Sequence, residues 1–394
     1  MSETSVVGPA AARRAHGRAP RVVTWEMTQA CDLNCLHCRA EACPGRHPLE
    51  LTTEEGKALI DRVLAFGDPP PILVFSGGDP LKRPDLMELA RYATGRGLRV
   101  GVTPAPTALL NGSALRELRD AKVHRLALSL DGATRERHDA FRGEPGSFAA
   151  IERAARLATE LRLPLQINTT VARSTVADLP AIADRVEEMG AVMWEVFFLV
   201  PIGRGIALEP LDASRTEEVL RWLYRRQRDA PFRLITVEAP AYRRVGRQIE
   251  AAERGKRERT SRRGVPEATN GGGIGSGNGV PAGRPAPEGS TGDANGFVFI
   301  SHLGEVYPSG FLPLAAGNVR TDDLVALYRH SPVFRRLRDP STLKGKCGRC
   351  DYRHICGGSR ARAFALTGDA LESDPFCPYE PERSESEARR SPSL

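Results

Sequence analysis

Three cysteines stand close together near the N-terminus, in the run Cys31-Asp-Leu-Asn-Cys35-Leu-His37-Cys38, with three residues between the first two and two between the last two. Such spacing can supply three thiolates to a cubane iron–sulfur cluster and leave one iron without a protein ligand. An open iron is a place for chemistry, whereas a structural metal site closes with four ligands. Cys43 follows on a stretch containing Pro44 and Gly45, so a closed zinc site through a fourth thiol is the competing reading.

A second set, Cys347, Cys350, Cys356 and Cys377, has two, five and twenty residues between successive members. Four thiolates close a site, and Zn(Cys)₄ fits them as well as an iron–sulfur cluster does. No cysteine lies between Cys43 and Cys347. Two clusters in a chain of 394 residues point to metal binding rather than to the disulfide framework of a small secreted domain.

The elements that must position these groups alternate between short β-rich runs and longer amphipathic stretches, the pattern of βα units around a parallel sheet. Strands are expected at 22–27, 72–75, 98–102, 125–130, 165–171 and 193–199. Helices are expected at 53–66, 84–96, 146–160, 179–189 and 214–228. Six units predict an α/β fold, a partial (β/α)6 TIM-type barrel with its functional groups at the strand C-termini. The cysteine loop follows the first strand and Ser76-Gly77-Gly78-Asp79-Pro80 follows the second. Ser129-Leu-Asp131-Gly132 ends the fourth, and the fifth carries Asn168. Each of these motifs alone is equally an ordinary strand-end turn.

Taken together they resemble the radical S-adenosylmethionine (SAM) enzymes, whose signature is this cysteine spacing with an aromatic residue, here His37, before the last cysteine. The resemblance implies a [4Fe-4S] cluster on Cys31, Cys35 and Cys38, with SAM chelating the open iron. One electron then cleaves SAM to a 5′-deoxyadenosyl radical. Gly77-Gly78-Asp79-Pro80 resembles the family's Gly-Gly-Glu-Pro motif, whose backbone holds the SAM amino group, with Asp79 shortening the carboxylate. Ser129 and Asn168 are then the positions expected to touch the SAM ribose or carboxylate, and residues 200–205 those expected to flank the adenine.

The later cysteines resemble the SPASM or shorter twitch extension, a small C-terminal iron–sulfur domain. The resemblance implies one auxiliary [4Fe-4S] cluster on Cys347, Cys350, Cys356 and Cys377, because Ser309 and Arg360 stand where the fuller pattern has cysteines. The runs at 308–313, 317–320, 343–348, 356–363, 367–369 and 374–377 look like the branch that trims tetrapyrrole side chains in haem biosynthesis. That branch decarboxylates propionates oxidatively. Arg360 and Arg362 are then either carboxylate partners for such a substrate or buttresses of the cluster loop. A reduced flavodoxin or ferredoxin-type donor is implied as electron source. The alternatives are a radical SAM maturase of a ribosomally made peptide and a non-catalytic zinc or iron–sulfur protein.

Composition excludes other classes. No apolar run is long enough for a membrane span and no secretory signal is read, so the expected address is cytoplasmic. The formal charge of +7 is concentrated at 241–264, where nine Arg or Lys face three Glu without interleaved aromatics, a pattern that does not mark a nucleic-acid surface. The expected organisation is a flexible N-terminus at 1–20, the barrel at 21–240 and a basic, Gly/Pro-rich linker or insertion at 241–295. The auxiliary cluster domain follows at 296–381, and a flexible tail at 382–394.

Overall fold

The computed structural model describes residues 17–40, 42–262 and 292–382. The parallel strands are β1 (Val22–Thr28), β2 (Ile72–Gly77), β3 (Val100–Val102), β4 (Arg125–Ser129), β5 (Leu165–Val171), β6 (Met193–Phe198), β7 (Arg233–Val237) and β8 (Phe297–Ile300). β9 (Glu305–Tyr307) and β10 (Gly317–Asn318) add antiparallel to β8. The sheet order is β10-β9-β8-β1-β2-β3-β4-β5-β6-β7. Helices on its outer face are α1 (Thr53–Leu64), α2 (Leu86–Gly95), α3 (Gly112–Asp120), α4 (Arg135–Arg142), α5 (Ser147–Glu160), α6 (Leu179–Glu188), α7 (Ala213–Arg226) and α8 (Ala241–Arg262). The C-terminal part carries α9 (Leu324–His330), α10 (Pro332–Arg338), α11 (Gly345–Arg349) and α12 (Arg360–Thr367).

Alternate residues of each strand face the helices, and those are the large apolar ones. Trp25, Phe75 and Trp194 are fully buried there. Gly56 on α1 admits the Trp25 ring, since a Cβ at that position would lie 2.8 Å from it. Each fully buried aromatic of this size contributes on the order of 2–3 kcal/mol. The opposite residues of the strands line a polar lumen, and all strand C-termini open at one mouth.

Three features differ from the sequence expectation. β7 is a further parallel strand, hidden in the sequence because its five residues include Arg233 and Thr236 and its core-facing pattern is weak. β8 pairs with β1 in register from Val22↔Phe297 to Trp25↔Ile300, so the sheet runs on across position 296. The expected linker begins as helix α8, whose first turns are buried against α7 and the C-terminal cysteines while its later basic turns are exposed. The Gly-rich tract from 263 to 291 lies outside the described residues, as do 1–16 and 383–394. Within the expected flexible N-terminus, the Gly17 and Arg18 carbonyls accept hydrogen bonds from Arg338 and Arg329.

The C-terminal part is pinned to the barrel by Arg320, whose guanidinium forks onto both Glu55 oxygens at 2.7 and 3.0 Å. Glu55 also closes a capping box with Thr52 at the start of α1. The Arg320 contact holds the Glu55 carboxyl down to about 2, below its ordinary 4.5. A carboxyl depressed in the folded state stabilises above its unfolded pKa and loses that effect as pH falls through the folded value. Both side chains are about one-third exposed. Glu55→Gln is therefore expected to cost only about 0.5–1 kcal/mol at neutral pH. The deficit should shrink below about pH 4.5 and vanish near pH 2 in denaturant titrations.

Candidate active site

The cysteine loop is clasped from the ends of β2 and β6 and from α4. Cys31 and Cys35 are buried and Cys38 is half-buried. The Leu33 amide donates to Cys31 Sγ at 3.4 Å. From β2, the Gly78 and Asp79 amides donate to the Thr28 and Ala30 carbonyls at 2.8 and 2.7 Å, fixing the chain as it enters the loop. Gly77 has φ +136°, and a Cβ there would lie 2.2 Å from the Thr28 oxygen. Only glycine makes that turn. From beyond β6, Gly203 (φ +52°) lies against the Cys38 and Arg39 carbonyls, while Arg204 donates its amide to Cys38 O and its Nε to Cys35 O, both at 2.9 Å. From α4, the Phe141 carbonyl accepts from the Leu36 amide at 3.0 Å. Segment 200–205 thus packs on the cysteine loop itself.

One buried residue beside the thiols was not legible in the sequence. Arg142, at the end of α4, places Nη1 3.2 Å from His37 Nε2 and 3.4 Å from Asp131 Oδ2. A guanidinium only donates, so His37 Nε2 accepts and its proton sits on Nδ1. That Nδ1 is buried without a partner among the described residues, and the ring stacks on Phe141 with centroids 4.8 Å apart. Burial pushes His37 down to about 4 and keeps it neutral. It also pushes the Cys31 thiol up to about 11. Burial opposes the charge of Arg142, but the surrounding Cys35 and Asp131 outweigh it and hold the guanidinium above its ordinary value. Three thiolates with this cation beside them suit an iron–sulfur cluster, whose potential follows net charge and hydrogen bonds to sulfur. Removing one partner of a buried pair strands the other. Arg142→Leu is therefore expected to cost about 3–5 kcal/mol and to lower iron retention, measured by denaturation and iron assay.

Ser129 and Asn168 are register partners on β4 and β5. Asn168 Oδ1 accepts from Gln166 Nε2 at 2.8 Å, which directs its own amide NH₂ away. Neither that NH₂ nor the Ser129 hydroxyl has a hydrogen-bond partner among the described residues. The Asp79 carboxylate is spent on Leu81 N in its own turn and on Ala105 N and the Thr107 hydroxyl of the segment after β3. Only its backbone, with those of Gly77, Gly78 and Pro80, is left to meet a ligand. Cys43 is exposed with its thiol on Gly45 O, and its carbonyl receives the Cys31 amide.

The mouth beside this loop is aromatic and cationic. Arg39 follows Cys38, stacks 4.3 Å from the Phe299 ring centroid and donates to buried Glu26 at 2.9 Å. Glu26 also meets His302 Nδ1 at 3.2 Å. Burial alone would raise the Glu26 carboxyl; Arg39 and His302 hold it below its ordinary value. Phe299 faces Tyr307 at 6.3 Å and Phe197 faces Phe311 at 6.4 Å. At the end of β7, Glu238 accepts from the Ser309 and Ser359 hydroxyls, at 3.2 and 2.5 Å, in a left-handed conformation of φ +55°. Burial and nearby Asp293 raise its carboxyl well above the usual range.

Cys347, Cys350, Cys356 and Cys377 line one cavity with Arg244, Gly358 and Tyr379. Each sulfur meets a donor: Asp374 N and Arg360 Nη2 at Cys347, Tyr352 N at Cys350, Gly358 N at Cys356 and Arg244 Nη2 at Cys377. Arg360 spends its other nitrogens on the Gly358, Ala370 and Glu372 carbonyls, and Arg362 forks onto Asp374 at 2.9 and 3.0 Å. Both are buried buttresses of the cysteine loop, and neither is a free carboxylate partner.

A family model of the radical SAM superfamily matches residues 25–186. An AdoMet-dependent heme synthase of Methanosarcina barkeri is 41% identical over 92% of this chain and 97% of its own. This chain belongs to the radical SAM superfamily. As a radical SAM enzyme it takes SAM and a [4Fe-4S] cluster. It is also similar to the mycofactocin maturase MftC of Mycobacterium ulcerans, 30% identical over 91% of this chain and 88% of that one. The fold matches the solved structure of native anSMEcpe with bound AdoMet at a TM-score of 0.63 and 18% identity, over 90% and 93% of the two chains. Among the described residues no helix of this radical SAM protein is long and apolar enough to cross a membrane.

Proposed function

We propose that this enzyme oxidatively decarboxylates propionate side chains of a tetrapyrrole. The observation that carries the reading is 41% identity to a heme synthase across nearly all of that protein. The mouth supports it: Phe197, Phe299, Tyr307 and Phe311 offer flat apolar faces to a macrocycle, and Arg39 stands beside them as a cation for a side-chain carboxylate.

Cys31, Cys35 and Cys38 would hold the cluster, which supplies the electron that cleaves SAM. The Gly77–Pro80 backbone, Ser129, Asn168 and His37 Nδ1–H would hold SAM. The substrate's side chain gives a hydrogen atom to the 5′-deoxyadenosyl radical, then loses carbon dioxide and one electron to become a vinyl group. Glu26 and Arg39 orient the substrate, and the Cys31–Cys38 loop packed under segment 200–205 excludes water. The four later cysteines would hold one auxiliary [4Fe-4S] cluster that accepts the departing electron. Among the described residues no three His, Cys, Asp or Glu side chains converge on a single ion. The four thiols line one cavity, an arrangement that would suit a cluster with one iron per thiolate. A small reduced flavodoxin or ferredoxin-type protein would supply the electron for SAM.

The test is anaerobic turnover of reconstituted enzyme with SAM, reductant and iron coproporphyrin. The expected result is 5′-deoxyadenosine together with a product lighter by one carbon dioxide and two hydrogens per side chain. Deoxyadenosine without any change in the tetrapyrrole would favour the peptide reading that the MftC likeness represents.

A further inference from the structure

Four arginines from four different strands meet at the end of the barrel opposite the cysteine loop. Arg21 immediately precedes β1, Arg99 precedes β3, and Arg125 and Arg233 open β4 and β7. In a parallel sheet these positions share one end. Five strands separate β1 from β7 in the sheet order, yet Arg21 lies within electrostatic reach of both Arg233 and Arg99. Arg125 likewise feels Arg233 and Arg99, and His124 feels Arg125 and Arg99. The curl of the sheet has therefore gathered these cations around the barrel axis.

Little among the described residues answers the charge of Arg99, Arg125 and Arg233. The Arg99 and Arg233 side chains are exposed and make no ion pair or hydrogen bond among the described residues. Arg125 reaches only the neutral Gln166 Oε1 at 3.4 Å and Met193 Sδ at 3.0 Å, and its Nε is buried with no partner. Among the described residues, Glu195 is the carboxylate that acts on Arg125 and Arg233. Burial and this mutual repulsion push Arg21 and Arg125 below the ordinary arginine value. Several other buried arginines are paired with carboxylates, as in Arg83–Asp85, Arg244–Glu217 and Arg362–Asp374.

We propose that the base of the barrel binds a small, multiply charged oxyanion of the phosphate or pyrophosphate kind, held by the guanidinium forks of Arg99, Arg125 and Arg233 with Arg21 at the rim. Planar guanidiniums match such oxygens bidentately, and several from different directions suit an anion with several charged faces. SAM and substrate enter at the other end, so this site is separate from the chemistry and independent of the substrate assignment.

Calorimetry of the full-length holoenzyme with inorganic pyrophosphate, at ionic strength held constant with sodium chloride, tests the assignment. Saturable binding is expected in the wild type, with a raised thermal midpoint. Arg99→Gln/Arg233→Gln should bind about tenfold more weakly or worse. Without pyrophosphate the variant should be as stable as wild type or more so, because repulsion has been relieved, and it should still form 5′-deoxyadenosine, which shows that it is folded and loaded. Equal binding by wild type and variant, or a thermal effect that sodium chloride reproduces, would overturn the proposal.

Discussion

Replacing Cys31, Cys35 and Cys38 together by alanine is expected to abolish 5′-deoxyadenosine formation and to lower bound iron from roughly eight to roughly four per chain. The loop is held mainly by backbone contacts to Thr28, Ala30, Phe141 and Arg204, which the substitutions leave in place. The protein should therefore stay folded, and its circular dichroism should be unchanged. The matching change at Cys347 and Cys350 separates the two roles. It should also lose roughly four irons, yet retain SAM cleavage while failing to yield the vinyl product. Deoxyadenosine persisting in the N-terminal triple variant would remove that loop from radical generation.

Gly77→Ala carries the second large effect. Its backbone sits at φ +136°, and the added Cβ would lie 2.2 Å from the Thr28 carbonyl oxygen and 3.2 Å from the Thr28 nitrogen. Real contacts of this kind are never so short, and the obstacle is backbone that cannot swing aside. The turn must open, which breaks the Gly78–Thr28 and Asp79–Ala30 bonds that set the entry to the cysteine loop. Backbone strain of this sort costs roughly 1–3 kcal/mol before any lost hydrogen bond is counted. SAM affinity should fall by tenfold or more, about 1.4 kcal/mol at the least, measured by equilibrium binding to the reconstituted protein. Gly101→Ala is the control. Its Cβ would meet nothing closer than 3.6 Å, so SAM binding should survive. Unchanged binding in Gly77→Ala would show that the β2 turn does not shape the SAM seat.

The parts of the site legible in the sequence are those with short-range logic. Cysteine spacing is a local property, and so are the Gly-Gly turn after an apolar run and the capping residues Thr52 and Asp212 that begin α1 and α7. The residues that were not legible act at long range. Arg142 lies more than a hundred positions from His37, and His302 lies 276 positions from Glu26. A lone arginine on an amphipathic helix carries no local mark of being turned inward. Arg39 had the best signal, since it directly follows Cys38, but only the β1–β8 pairing puts Phe299 under it. The two arginines after Cys356 show the converse. Their sequence context fits carboxylate recognition, and packing commits them to carbonyls, sulfur and Asp374.

The amino-acid sequence by itself determined where the two sets of thiols stand and the class of fold, because cysteine number, spacing and strand–helix periodicity need no knowledge of distant neighbours. The tertiary structure decided what surrounds that chemistry. It placed Arg142 as the cation beside the thiols and left His37 one free N–H. It spent Asp79 on Thr107 beyond β3 and Ser309 on Glu238, and it lined the mouth with aromatic rings from β6, β8, β9 and the loop after β9. Charge and hydrogen-bond partners are set by what folding brings within a few ångströms, and a linear pattern does not contain that distance.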